Sequence, residues 1–266
     1  MAVDRWKPNW NMPAGSLEHW PEDYERGRPG WPAAVVDVPD LSPSATVLEL
    51  AAGTGKLTRL LVPTFRRVVA VEPAQAMRRL LAQHCPAAEV LDGSAEEIPL
   101  PAGSVDAVFV AEAFNHFDGP RAVVEIARVL RPGGAVVLMW NLPAGPWEPS
   151  IAKVEQLLGE RIGKLGELSY DPLDLGGSQY TSLEWRRVFA GSPFEPVREA
   201  RLENPQVVDR DGLVAFLASM GWIADLPDST RLPLLDQVTS MLAAREYRRT
   251  WETHVHWTRL RGKARR

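Results

Sequence analysis

Between residues 46 and 140, short apolar runs alternate with longer amphipathic ones. The apolar runs cover residues 47–51, 68–71, 90–91, 105–110 and 135–140 and are nearly continuous in Val, Leu and Ala. Segments 56–63, 74–84 and 119–130 lie between them and have helical length and spacing. Strands without polar alternation are buried on both faces, and strands that alternate with helices pair in parallel. The pattern therefore predicts an α/β fold with a parallel sheet covered by helices on each side. Arg131-Pro132-Gly133-Gly134 reads as the turn that stops the third helix and feeds the fifth strand.

After Trp140 the rhythm breaks. The spacing predicts a helix over 149–158, a Gly/Pro/Asp-rich loop over 163–177, and a second helix around 182–189. A strand over 196–202, a helix over 209–220, a longer helix over about 230–250 and an alternating strand over 253–260 follow. The last two strands fit a terminal antiparallel hairpin interrupted by helices. Residues 1–44, rich in Pro, Trp and charge, read as a loop-and-short-helix lead-in. The chain thus divides into a lead-in (1–44), a ligand-binding core (45–142), a helical insertion (143–192) and a closing segment (193–266).

Composition narrows the partners. The 266 residues are 45% hydrophobic, enough for a sizeable core, and the net charge of −4 argues against a nucleic-acid footprint. The basic residues Arg259, Arg261, Lys263, Arg265 and Arg266 read as a solvated tail. Cys85 is the only cysteine, so no intrachain disulfide forms and a cytoplasmic location is expected. No signal-like or membrane-spanning apolar run is visible. No nucleic acid and no membrane are expected as partners, and the chain is read as a monomer or homodimer. Four of the ten tryptophans fall within the first 31 residues.

The most informative segment is Glu49-Leu50-Ala51-Ala52-Gly53-Thr54-Gly55-Lys56-Leu57, where a strand ends in a turn with two glycines and a helix follows. Ligands of open parallel sheets bind beyond the carboxyl ends of the strands, where this turn must lie. A phosphate-binding P-loop fails, because Leu57 follows Gly55-Lys56 and Leu50 holds the earlier glycine position. A dinucleotide fingerprint fails at Thr58, its third small position. A carboxylate inside the turn suits a ligand carrying an ammonium and a sulfonium. Glu72, just past the second strand, suits the two hydroxyls of a ribose. S-adenosylmethionine has all three.

At this point residues 47 to about 140 resemble the class I S-adenosylmethionine-dependent methyltransferases, in particular the small-molecule group called methyltransferase type 11. The glycine turn from Glu49 to Gly55, Glu72-Pro73 with Met77, Gly93 to Leu100, Ser104 to Val108, and Arg128 to Gly134 match in order. The resemblance implies a Rossmann-like, mostly parallel sheet of seven strands with a C-terminal antiparallel hairpin. It also implies roles. Glu49 meets the methionyl ammonium beside Ala51, Gly53 and Gly55. Glu72 holds the ribose, and Pro73 and Met77 flank the adenine. Ser94 and Ala95 meet its edge, while Ala111 and Glu112 line the methionine side. Tyr24-x-x-Gly27-Arg28-Pro29 is similar to text before the first strand of relatives, where it folds over the cofactor. Tyr24 and Arg28 are thus candidates to cap the methionyl end. S-adenosylhomocysteine is the implied product.

Two departures matter: Ala51 replaces a glycine and Ser94 an aspartate, and somewhat looser cofactor binding is expected. The acceptor is a small molecule that the sequence does not identify. His116, in Phe114-Asn115-His116-Phe117-Asp118, and His19 are the candidate bases, with a polar pocket wall as the competing reading of His116. His254 and His256 read as exposed strand residues, not a metal pair, and no metal is expected. Trp10, Trp20, Trp31, Trp147, Tyr170, Tyr180 and Trp185 form either an acceptor lid or a satellite core. The alternative function is a related fold that binds S-adenosylmethionine or S-adenosylhomocysteine as a cyclase or regulator. RNA methylation lacks a basic face or a matching motif after the fourth strand, and nicotinamide chemistry lacks the fingerprint.

Overall fold

The computed structural model describes residues 20–145, 148–162 and 184–262. His19, Trp6, Trp10, Trp147, Tyr170, Tyr180, the 163–177 loop and residues 263–266 lie outside the described residues. Seven strands, β1 (Thr46–Leu50), β2 (Arg67–Val71), β3 (Glu89–Leu91), β4 (Val105–Ala111), β5 (Leu130–Pro143), β6 (Arg198–Val208) and β7 (Tyr247–Arg259), form one sheet in the order β3-β2-β1-β4-β5-β7-β6. The first five are parallel, and β7 runs antiparallel to both β5 and β6. This is the mostly parallel sheet with a terminal antiparallel hairpin that the sequence pattern and resemblance imply.

Burial explains the near-continuous apolar strands. On one face, Leu48, Leu50, Val108, Val110, Leu138 and Trp140 pack with Val123 and Ile126 of α4 (Gly119–Val129) and with Trp185 and Phe189. On the other, Val47, Phe109, Val137 and Met139 pack with Leu61 of α2 (Thr58–Leu61) and with Phe65. Leu81 of α3 (Gln75–His84) closes over Ala52 and Ala70. A third cluster lies at the Tyr247 end of β7, near the carboxyl end of β5. It is built from α5 (Ala152–Ile162), α6 (Arg210–Ala218), α7 (Gly221–Ala224) and α8 (Asp228–Met241) with Tyr247 and Trp251. Asp118 caps α4 by accepting from the Arg121 N–H, with Pro120 in the first turn, the usual chemistry of a helix start.

Several expectations are corrected. The helix expected to reach residue 250 ends at Met241, and β7 begins at Tyr247. Tyr247, Arg249, Trp251, Thr253 and Val255 alternate inward, so a period of two governs that stretch. β6 runs six residues past the expected 196–202, through Asn204-Pro205. It pairs only with β7, and proline is tolerated on an edge strand because no ladder needs its missing N–H. Residues 131–134 are an irregularity inside β5, not a turn before it. Leu130 pairs Val105 while Ala135 pairs Ala107, so Pro-Gly-Gly is accommodated as extra length in one strand.

The segment 184–189 is a 3₁₀ helix, and its Trp185 is buried against Trp140. Trp185 therefore fills the main core. Trp31 also packs half-buried on the core. Arg259, assigned to the basic tail, is instead a β7 residue that donates to the Pro39 carbonyl at 2.6 Å. His256, expected to be exposed, is buried between Trp140 and Trp185, and His254 meets Glu252 at 2.6 Å.

Candidate functional site

The glycine turn at the carboxyl end of β1 is built from left-handed backbone. Ala51, Gly53 and Gly55 have φ of +52°, +58° and +91°. Glycine adopts this region freely, whereas a side chain strains it, so Ala51 holds its turn position at a cost. Gly55 is needed for a second reason: a Cβ there would come within 2.8 Å of Leu81 Cδ1 and 3.0 Å of Cys85 Sγ. The second glycine thus lets α3 close against the turn.

Glu72 ties β2 to this turn. Its Oε2 accepts from the Gly53 N–H and its Oε1 from the Ala74 N–H, both at 2.8 Å. The two bonds fix the orientation of this buried carboxylate beside the turn. Arg78 braces this corner by donating to the Glu72 carbonyl at 2.7 Å and pairing with Asp92 at 3.0 Å. Glu49 sits one layer lower, closed off from solvent, and accepts from Thr58 Oγ1 at 2.6 Å. Burial, with a smaller push from Glu72, raises its pKa to about 8. Thr58, significant in the sequence only as a mismatch to a dinucleotide fingerprint, is thus the partner of the turn acid.

The lead-in carries the opposite wall. Helix α1 (Pro21–Gly27) is clamped from two sides. Glu25 accepts from Thr54 Oγ1 and from Arg59 at 2.8 Å, and its carbonyl accepts from Lys56 Nζ at 2.6 Å. On the far side, a Cβ on Gly27 would lie 2.0 Å from the Phe216 backbone nitrogen, so only glycine lets α1 approach α6 this closely. Asp23 pairs with the buried Arg231 of α8 at 2.7 Å, and the Arg231 guanidinium lies over the Trp20 ring. None of these anchors is readable locally, because their partners are remote in sequence. The clamp sets Tyr24 over Gly53, with Cε1 3.8 Å from where a Cβ there would stand. Arg28 is fixed by donating to Ser219 Oγ at 2.9 Å and to the Ser219 carbonyl at 2.7 Å.

Tyr24, Arg28, Glu112 and His116 form one electrostatically linked group. Tyr24, Arg28 and Glu112 are partly accessible and His116 is exposed, yet for Tyr24, Glu112 and His116 desolvation dominates the ionisation. Burial pushes the Tyr24 hydroxyl up to about 12, Glu112 up to about 7 and His116 down to about 4. Arg28 acts electrostatically on all three. Asn115 Nδ2 stands 3.4 Å from His116 Nε2.

The remaining sequence candidates are positioned as follows. Ala111 ends β4, half-buried, and Met77 and Ala95 are buried. Pro73 is exposed at the start of the α3 corner. Ser94 Oγ accepts from the Glu96 N–H at 3.3 Å, so its hydroxyl is partly used by its own turn. No group of three or more metal-ligating side chains occurs among the described residues, and no helix there is long and apolar enough to cross a membrane.

The family described as Methyltransferase domain matches residues 48–138. The chain is 39% identical over 222 residues to uncharacterised methyltransferases of Mycobacterium bovis and Mycobacterium tuberculosis, covering 83% of this chain and 82% of theirs. A methyltransferase-like protein of Schizosaccharomyces pombe is 31% identical over 216 residues, 79% of this chain and 78% of that one. Among solved structures, a protein assigned as a type II methyltransferase from Anaeromyxobacter dehalogenans superposes with a TM-score of 0.65 at 24% identity. It covers 89% of this chain and 99% of its own, and supports the fold alone. With the sheet order, the glycine turn and relatives matching along most of their length, the chain belongs to the class I S-adenosylmethionine-dependent methyltransferase family.

Proposed function

We propose that the protein transfers a methyl group from S-adenosylmethionine to a small-molecule acceptor bound in the crevice between the glycine turn and the lead-in. The observation that carries this reading is Glu72, whose two oxygens are oriented by the Gly53 and Ala74 N–H groups beside the turn. That geometry orients a carboxylate beside the turn, at the position the resemblance gives to the ribose. The charge fits the cofactor: the Glu72 carboxylate beside the turn suits a cationic ligand, and a pyrophosphate would be repelled by it. Arg28 suits the methionyl carboxylate, with Tyr24 covering the same end. Pro73, Met77, Ser94 and Ala95 remain the proposed adenine side, and Ala51, Gly53, Gly55 and Ala111 the backbone around the methionyl group.

When bound, S-adenosylmethionine supplies an activated methyl on a good leaving group. The protein's part is to orient the acceptor in line with it and to exclude water. Lead-in, core, insertion and closing segment divide this work in the proposed scheme: the core binds the cofactor, the lead-in and insertion shape the acceptor pocket, and the closing segment completes the sheet with β6 and β7.

Replacement Glu72→Ala tests the reading. Losing hydrogen bonds to a charged carboxylate costs about 1.5–3 kcal/mol, which is roughly 10- to 100-fold in affinity. Calorimetric titration of the variant with S-adenosylhomocysteine should show that loss with the fold retained by circular dichroism. Unchanged affinity would remove Glu72 from the ribose and leave the cofactor assignment without its main support.

A further inference from the structure

The three acids of the site are held differently. Glu72 is bonded at both oxygens and Glu49 is sealed beneath the turn. Glu112, directly after β4, has a left-handed backbone at φ +56°, and its N–H donates to the Met139 carbonyl at 2.9 Å. A non-glycine residue in this region costs on the order of 1–3 kcal/mol, and such strain gathers where a side chain must be aimed. Here the aim is visible. The Asn141 N–H donates to Glu112 Oε1 at 2.6 Å, while Oε2 has no hydrogen-bond or ion-pair partner among the described residues. The residue keeps part of its surface open. The nearby cation, Arg28, is already committed to Ser219.

We propose that Glu112 is the general base of the crevice and that the acceptor is a proton-bearing nucleophile, a hydroxyl or an amine, and not a carboxylate. This deepens the methyltransferase reading and rests on it. Oε2 takes the proton of the nucleophile as the nucleophile's lone pair forms the bond to the methyl carbon. The carbon–sulfur bonding pair remains on sulfur, which becomes a neutral thioether. An acceptor carboxylate has no proton to give and would meet Glu112 as a like charge. The acidity of Glu112 agrees with this use: burial, opposed by the Asn141 N–H and by Arg28, brings it to about 7, near the working range of a base. His116, exposed and with Nε2 3.4 Å from Asn115 Nδ2, is assigned to the wall in this reading.

The test uses the full chain saturated with S-adenosylhomocysteine and three probes that share one ring: benzyl alcohol, benzylamine and benzoate. Ligand-observed NMR measures their binding to the wild type and to Glu112→Gln, whose amide oxygen can still accept from Asn141. The alcohol and the amine should bind the wild type more tightly than benzoate does. Both should weaken at least fivefold in the variant, with S-adenosylhomocysteine affinity changed less than threefold. Benzoate binding as tightly as the other two, or no probe responding to the substitution, overturns the proposal. A parallel loss of S-adenosylhomocysteine would overturn it too, by placing Glu112 on the cofactor. A wild type that does not bind S-adenosylhomocysteine at all fails the underlying cofactor reading instead, and the proposal falls with it.

Discussion

Ala51 shows what one methyl group does in a turn made for glycine. Its left-handed φ costs about 1–2 kcal/mol for an L-residue, against about 0.5–1 kcal/mol of extra chain entropy that a glycine would lose on folding. Ala51→Gly is therefore expected to stabilise the protein slightly, by about 0.5–1 kcal/mol, and to raise the melting temperature by a few degrees. A lower melting temperature would contradict the strain argument. Glu49 gives a second prediction at this scale. Its folded pKa of about 8 lies above the unfolded carboxylate value, so its stabilising effect is complete in acid. That stability is lost as pH rises from about 4.5 to about 8. Glu49→Gln, still able to accept from Thr58, should be more stable than the wild type at pH 8, with the gap closing toward pH 5. Urea denaturation at the two pH values measures it, and a gap that widens in acid would reverse the sign. The identity of both residues was visible in the sequence. The backbone of Ala51 and the sealing of Glu49 were not, because each depends on how α2 and α3 close over the turn.

Among elements, the parallel strands were legible because their signal is local: continuous Val, Leu and Ala with glycine or proline punctuation. The Tyr247–Arg259 strand was half missed, since its arginines and threonines suit a helix pattern until the partner β6 imposes alternation. Helix α1 is the clearest case of structure set from a distance. Only Gly27 permits its approach to α6, and only Glu25 links it to Thr54, Lys56 and Arg59. Gly27→Ala should push α1 off its seat, because a Cβ 2.0 Å from a backbone nitrogen cannot be accommodated by a rotamer change. The expected outcome is faster proteolysis within 20–30 and at least a tenfold loss of S-adenosylhomocysteine affinity, with the sheet retained by circular dichroism. Unchanged affinity would show that Tyr24 and Arg28 do not complete the cofactor site.

At the scale of the whole molecule, the glycine turn after β1, the acids after β2 and β4 and the clamped lead-in gather at the carboxyl ends of the strands, where the crevice is proposed. The family was readable because five short motifs occur in order along one third of the chain. The acceptor was not, because the residues gathered around Arg28 come from the lead-in and from the end of β4, far apart in sequence. The central claim is that this crevice binds S-adenosylmethionine. Calorimetric titration of the full chain with S-adenosylmethionine and with S-adenosylhomocysteine tests it most directly. Micromolar, one-to-one binding of both is the predicted result, and absence of binding by either up to millimolar concentration would contradict the account.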